Sequence, residues 1–198
     1  MDRVTVLIGL TTATLNGIGY VIYNIRAQKG VTRPNPASWG IWTALALIDV
    51  FWFREVAGSW VFALHFAVGT VACLFTFGAS MARGKMDWPS ALDWTALGLG
   101  AATIAIWLSL SNAPAAGPTL MAVYVISFWP IARGVWLNPE RETSAPWWIW
   151  TVAYVLMVTN VWRSDRGLAA LTLTALLTVG HAVVAVLASR RTGQKRAP

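Results

Sequence analysis

One stretch of this chain occurs twice, and that duplication restricts what it can fold into more than any other feature. Residues 20–43 and 128–151 align without a gap at an offset of 108. Trp39 falls on Trp147, Ile41 on Ile149, Trp42 on Trp150 and Thr43 on Thr151; Arg33 falls on Arg141, Ala37 on Ala145 and Tyr20 on Phe128. Each copy reads as an apolar helix end, a polar loop, and a new apolar helix opening with Trp-x-x-Trp. A repeat of this kind marks a duplicated supersecondary unit. In carriers built from internal repeats, the solute site lies where the repeats meet.

The solvent for such a chain is a bilayer. Charged residues make up 12% of the sequence, against roughly 25% in a soluble domain, and 57% is hydrophobic. The net charge of +7 does not point to nucleic acid. The basic residues sit in short loops between apolar runs, where membrane proteins carry them for topology, and no nucleic-acid motif accompanies them. Cys73 is the single cysteine, so the chain forms no internal disulfide. The first apolar run, from Val4 to Tyr23, is too long for a signal-peptide core and is expected to be retained.

Seven runs approach the length of about 20 residues that a helix needs to span a membrane: 4–25, 38–54, 60–82, 90–111, 119–137, 144–162 and 168–189. The alternating segments of a transmembrane β-barrel are absent. The expected fold is therefore all-α, a polytopic membrane protein of seven helices. Arg3, Arg54, Arg163 and Arg166 lie on the side of the N-terminus, whereas the other eleven Lys and Arg residues lie on the opposite side. Cytoplasmic loops collect such residues, which sets the N-terminus out, the C-terminus in, and the location as the cell inner (plasma) membrane.

The expected organisation is 3+1+3: a first three-helix bundle over 1–83, a connector helix within 84–114, a second bundle over 115–191 and a cytoplasmic tail at 192–198. Three spans reverse the chain's direction, so a fourth is needed for the second copy to enter from the same side as the first; the halves are then parallel repeats. Gly69 and Gly180 give the best match between the third helices of the two copies. Ser90-Ala-Leu-Asp93 has capping-box spacing at the start of helix 4, and Ser38 and Ser144 are expected to cap helices 2 and 6. Gly98 and Gly100 favour close packing of helix 4.

Asp49 is the most informative single residue. A carboxylate within a membrane helix costs roughly 2.5–3.5 kcal/mol on insertion scales and so faces a cavity or a partner. His65 enters helix 3 to a similar depth, about 8 Å from its outer end at 1.5 Å per residue. An Asp49–His65 pair is expected, either coupling protons or tying the two helices together. Trp60, Trp88, Trp107, Trp136 and Trp162 fall near helix ends, as interfacial belt residues do. Trp39, Trp42, Trp147 and Trp150 stand apart because they repeat. Their indoles suit ring stacking, with Nε1–H free to hydrogen-bond; packing between helices is the competing role. With Asn16, Tyr20, Trp129, Tyr154, Asn160 and Asp49 they form the candidate solute site. His181 reads as a structural histidine. Pro130 breaks the hydrogen-bond ladder of helix 5 and kinks it. No metal-ligand spacing, cofactor motif or nucleophile–base pair appears, so neither a metal, nor a cofactor, nor an enzyme is expected.

With this layout and its duplicated loop, the chain resembles the PQ-loop superfamily, which includes the SWEET sugar transporters. That family carries a Pro-Gln pair near the end of helix 1 or 5, followed by a Ser or its neighbour opening the next helix. Here Pro130 stands 14 and 15 residues before Ser144 and Ala145. The second copy has Pro130-Ile131 in place of Pro-Gln, and the first has Ile22-Tyr23. The paired Trp-x-x-Trp is also similar to the nicotinamide riboside transporter family. The resemblance implies an alternating-access carrier, uniport or proton-coupled, for a sugar or a nucleoside-like vitamin, with Pro130 as its hinge. The expected partners are a small solute and membrane lipid, with homo-oligomerisation left open. A heptahelical binding or sorting receptor without transport is the competing function.

Overall fold

A computed structural model describes residues 1–109 and 113–194. Those residues form α1 (Arg3–Gln28), α2 (Pro36–Ala57), α3 (Trp60–Ala82), α4 (Ala91–Ser109), α5 (Ala113–Leu137), a 3₁₀ turn at Pro139–Arg141, α6 (Ser144–Arg163) and α7 (Gly167–Gln194). No strand occurs among them. The expected end of helix 4 at 111 and residues 195–198 of the expected tail lie outside the described residues.

The helix starts follow from capping chemistry. Asp2 accepts from the Thr5 N–H at 2.7 Å and Ser59 caps α3. At α4 the Asp93 carboxylate accepts from both the N–H and the hydroxyl of Ser90, while the Asp93 N–H donates back to Ser90 Oγ, a complete capping box. Ser38 does not cap α2. Asn35 does, through Oδ1 to the Ser38 N–H at 2.8 Å, with Pro36 at the first turn. Ser144 is the first residue of α6, and Thr143 holds the cap position without a side-chain bond. Gly58, at φ 69°, ends α2 in the left-handed conformation that glycine adopts freely.

Among the described residues, five helical segments are long and apolar enough to cross a membrane: Arg3–Gln28, Pro36–Ala57, Trp60–Ala82, Gly117–Leu137 and Gly167–Arg190. The described residues thus form seven α-helices, five of which carry such a segment, against the seven spans expected. In α4 the apolar stretch is shorter, Ala91–Ile106. The helix α6 carries Trp147, Trp148, Trp150, Tyr154 and Asn160, side chains with polar atoms that lower its hydropathy. The surface suits lipid. Leu7, Leu10, Val21, Phe51, Val71 and Phe75 are exposed, while Asn16, Asp49, His65 and Asn160 are buried. Buried polar side chains set within an apolar core, beneath an exposed apolar surface, depart from the usual soluble pattern.

Helix α3 packs on both α1 and α2; α7 packs on both α5 and α6. Across these groups α1 meets α6 and α2 meets α5, and α4 lies against α5 and α2. Close approach is local. A Cβ on Gly100 would meet Ile41 at 3.2 Å, whereas Gly98 faces open space.

Candidate functional site

Helices α1, α2, α3, α5, α6 and α7 all contribute to one central cavity. Asn16, Tyr20, Trp39, Trp42, Asp49, His65, Trp147, Trp150 and Tyr154 line it, together with Tyr124, Phe128 and His181. Its volume is about 50 Å³. Binding pockets for drug-sized ligands run to roughly 300–1,000 Å³, so the packed rings leave room for water rather than for a ligand of that size.

The ring packing repeats itself. Trp39 and Trp42 meet edge-to-face at 5.3 Å and 81°; Trp147 and Trp150 do so at 5.1 Å and 84°. Trp42 meets Phe128 at 5.1 Å and 59°; Trp150 meets Tyr20 at 4.9 Å and 58°. Trp42 and Trp147 lie 6.0 Å apart at 58°, and Trp150 and Trp39 6.4 Å apart at 61°. In each comparison the second pair is the first with every residue exchanged for its counterpart at the offset of 108.

Each repeated indole N–H is already committed. Trp39 donates to Tyr23 Oη at 3.0 Å, Trp42 to Ser127 Oγ at 2.7 Å, Trp147 to Glu142 at 3.0 Å and Trp150 to the Asn16 carbonyl at 3.2 Å. Glycine makes the last contact feasible: a Cβ on Gly19 would lie 2.8 Å from two atoms of the Trp150 indole. Ser127, which receives Trp42, is the counterpart of Gly19.

The expected Asp49–His65 hydrogen bond is replaced by two others. Both residues reach the cavity, but Asp49 Oδ2 accepts from the Tyr124 hydroxyl, and His65 Nδ1 lies 3.2 Å from the Thr12 carbonyl. Helix depth brought them to one level; their directions around each axis differ. Asp49 Oδ1 and His65 Nε2 remain buried without a partner. Asn16 donates to the His65 carbonyl at 2.8 Å, and Tyr20 Oη lies 3.0 Å from Cys73 Sγ.

Two expected site residues lie elsewhere. Trp129 is 60% exposed; its neighbours Phe128 and Pro130 take the inner face of α5, and one residue turns a helix by about 100°. Asn160 is buried, but its amide donates to the Thr5 carbonyl at 3.0 Å. It ties α6 to α1 near the N-terminal end rather than facing the cavity. Pro130 is buried within a continuous α5. The adjacent carbonyl of Ser127 accepts from Ser38 Oγ at 2.5 Å. Trp60, Trp88, Trp136 and Trp162 are exposed, and the side chain of Trp107 lies outside the described set.

Sequence reasoning missed Tyr124, Ser127 and Glu142. Tyr124 is the counterpart of Asn16, so extending the repeat upstream would have found it. Glu142 is 1% exposed and accepts from Tyr23 Oη at 2.9 Å as well as from Trp147. Burial pushes its carboxyl up to about 8, against the opposing pull of Trp147, Tyr23 and Arg141.

Both ends of the bundle are fastened. At the loop end, the Arg33 N–H donates to the Arg141 carbonyl at 2.8 Å, the Thr32 and Thr143 hydroxyls meet at 2.7 Å, and Asp87 pairs with Arg141 at 2.6 Å and with Arg33 at 3.7 Å. At the N-terminal end, Thr5 Oγ1 lies 3.1 Å from Ser164 Oγ. Among the described residues no three His, Cys, Asp or Glu side chains converge as a metal site. Comparison with family models, with curated proteins and with solved structures gave no match.

Proposed function

We propose that the chain is an alternating-access membrane carrier for a small polar or ring-bearing solute. In this reading it has seven spans in a 3+1+3 arrangement of parallel repeats, N-terminus out and C-terminus in, in the cell inner membrane. The matched ring pairs of the two copies carry the proposal: a duplicated aromatic site, closed on itself, is what two halves rocking about a shared axis need. The mirrored packing of α1 on α6 and of α2 on α5 supports it, as do the pairing of Arg33 with its counterpart Arg141 and the cavity's small volume. The resemblance to PQ-loop and SWEET proteins agrees with it. The solute sits against Trp39, Trp42, Trp147 and Trp150, with Asn16 and Asp49 beside it, and Pro130 is the flexible point of α5.

Counterflow in proteoliposomes tests this. Vesicles carrying the purified chain are preloaded with unlabelled solutes from a panel of sugars, nucleosides and small amines, then given the labelled form. Saturable exchange of one class is expected. Saturable binding to the detergent-purified chain with no exchange of any panel solute would instead make it a receptor.

A further inference from the structure

We propose that the solute is a small organic cation, and that it exchanges for a proton on Asp49. This deepens the carrier reading and rests on it. The cavity offers acceptors and ring faces but few free donors. All four repeated indole N–H groups are spent on internal acceptors, as is one of the two Asn16 amide N–H groups on the His65 carbonyl; the second Asn16 N–H and the Tyr154 hydroxyl are the donors left beside them. What remains unpartnered and buried is Asp49 Oδ1 and His65 Nε2. His65 Nδ1 faces the Thr12 carbonyl, so that nitrogen carries the proton and Nε2 is an acceptor. A sugar needs donors and acceptors together. An organic cation needs aromatic faces, a carboxylate and acceptors for any N–H it bears.

Among the described residues Asp49 has no basic partner. The titratable groups that line the cavity with it are Tyr124 from α5, His65 and Cys73 from α3, Tyr20 from α1, Tyr154 from α6 and His181 from α7. On α4 the acidic group Asp93 is bonded to Ser90 and Asn35 at the loop end. No Lys or Arg is among the residues that line the cavity. A carboxylate buried in this way has to be neutralised. When no cation is bound a proton does so. When an organic cation enters, the Asp49 O–H bond breaks, the proton leaves to the aqueous side and the cation pairs with the carboxylate. One positive charge replaces another, so the exchange is electroneutral for a monovalent cation, and the protonated form carries the proton back.

Proteoliposomes of the full chain, with a trapped pH dye, test the proposal using choline and N-methylpyridinium as probes. Their uncharged isosteres, 3,3-dimethylbutan-1-ol and toluene, serve as competitors, and glucose and thymidine as neutral solutes. Labelled cation uptake is expected to be saturable, to move protons the opposite way, and to be inhibited at least ten-fold more weakly by the isosteres than by the cations. Asp49→Asn should abolish both movements and Asp49→Glu retain part of them. The isostere comparison uses the wild-type chain, so a folding defect in Asp49→Asn leaves the test standing. Counterflow of glucose or thymidine with inert cations would overturn the cation proposal and leave the carrier reading intact. Cation uptake without proton movement would overturn the exchange. Saturable cation binding with no counterflow of any solute would overturn exchange and carrier reading together.

Discussion

The backbone N–H of Arg33 donates to the backbone carbonyl of Arg141 at 2.8 Å, and these two residues hold the same position in the two copies of the repeat. The same two arginines share the Asp87 carboxylate from the α3–α4 loop.

Removing that carboxylate should loosen the loop end at little cost in stability. The pairs are partly exposed, and such bridges contribute at most about 1 kcal/mol. In a Cys73→Ala background, Thr32→Cys should react faster with an impermeant maleimide when Asp87→Asn is added. Unchanged labelling would mean that Asp87 plays no part in closing that end.

Glu142 makes stability depend on pH. Its carboxyl lies at about 8 in the folded protein, above the ordinary carboxylate range it has in the unfolded chain. Folding thus tightens its hold on a proton. The stabilisation is complete below the ordinary range and is lost as pH rises through about 8. The Tm should fall as the detergent-purified protein is taken from about pH 5 to about pH 9, and Glu142→Gln should flatten that slope. An equally steep slope in the variant would place the dependence elsewhere.

Gly19→Ala should be destabilising by about 1–3 kcal/mol, the usual cost of overpacking, because the new methyl overlaps the Trp150 indole. Gly78→Ala meets open space and should be neutral or stabilising by up to about 1 kcal/mol. Thermal unfolding of the two variants side by side reads the difference.

Asn160→Ala should cost about 1–3 kcal/mol by leaving the Thr5 carbonyl without its donor. The Kd of any solute should be unchanged, since Asn160 faces away from the cavity. Trp129→Phe should alter neither stability nor binding. A weakened Kd in either variant would return that residue to the site.

Much of this molecule was legible because its signals are one-dimensional. Apolar runs gave the seven helices, Ser90 and Asp93 gave the start of α4, and the paired Trp-x-x-Trp named four rings that now line one cavity. What stayed hidden was direction around a helix axis. Asp49 and His65 were assigned to one depth, and depth does not decide which of them faces Tyr124. Trp129 drew attention as a tryptophan, although its counterpart Val21 is also exposed. Asn160 lies six residues beyond Tyr154, about 9 Å further along α6, and so beyond the cavity. Glu142 received no assignment from the sequence, because only the folded loop buries it.

The two copies of the repeat are not equally free to let go. Trp42 is tethered to the hydroxyl of Ser127, which can swing about χ1 into another staggered well. Trp150 is tethered to the Asn16 carbonyl, which is fixed in the main chain of α1. The first indole can therefore lose its acceptor through one side-chain rotation, whereas the second can lose it only if its own ring or the main chain of α1 moves.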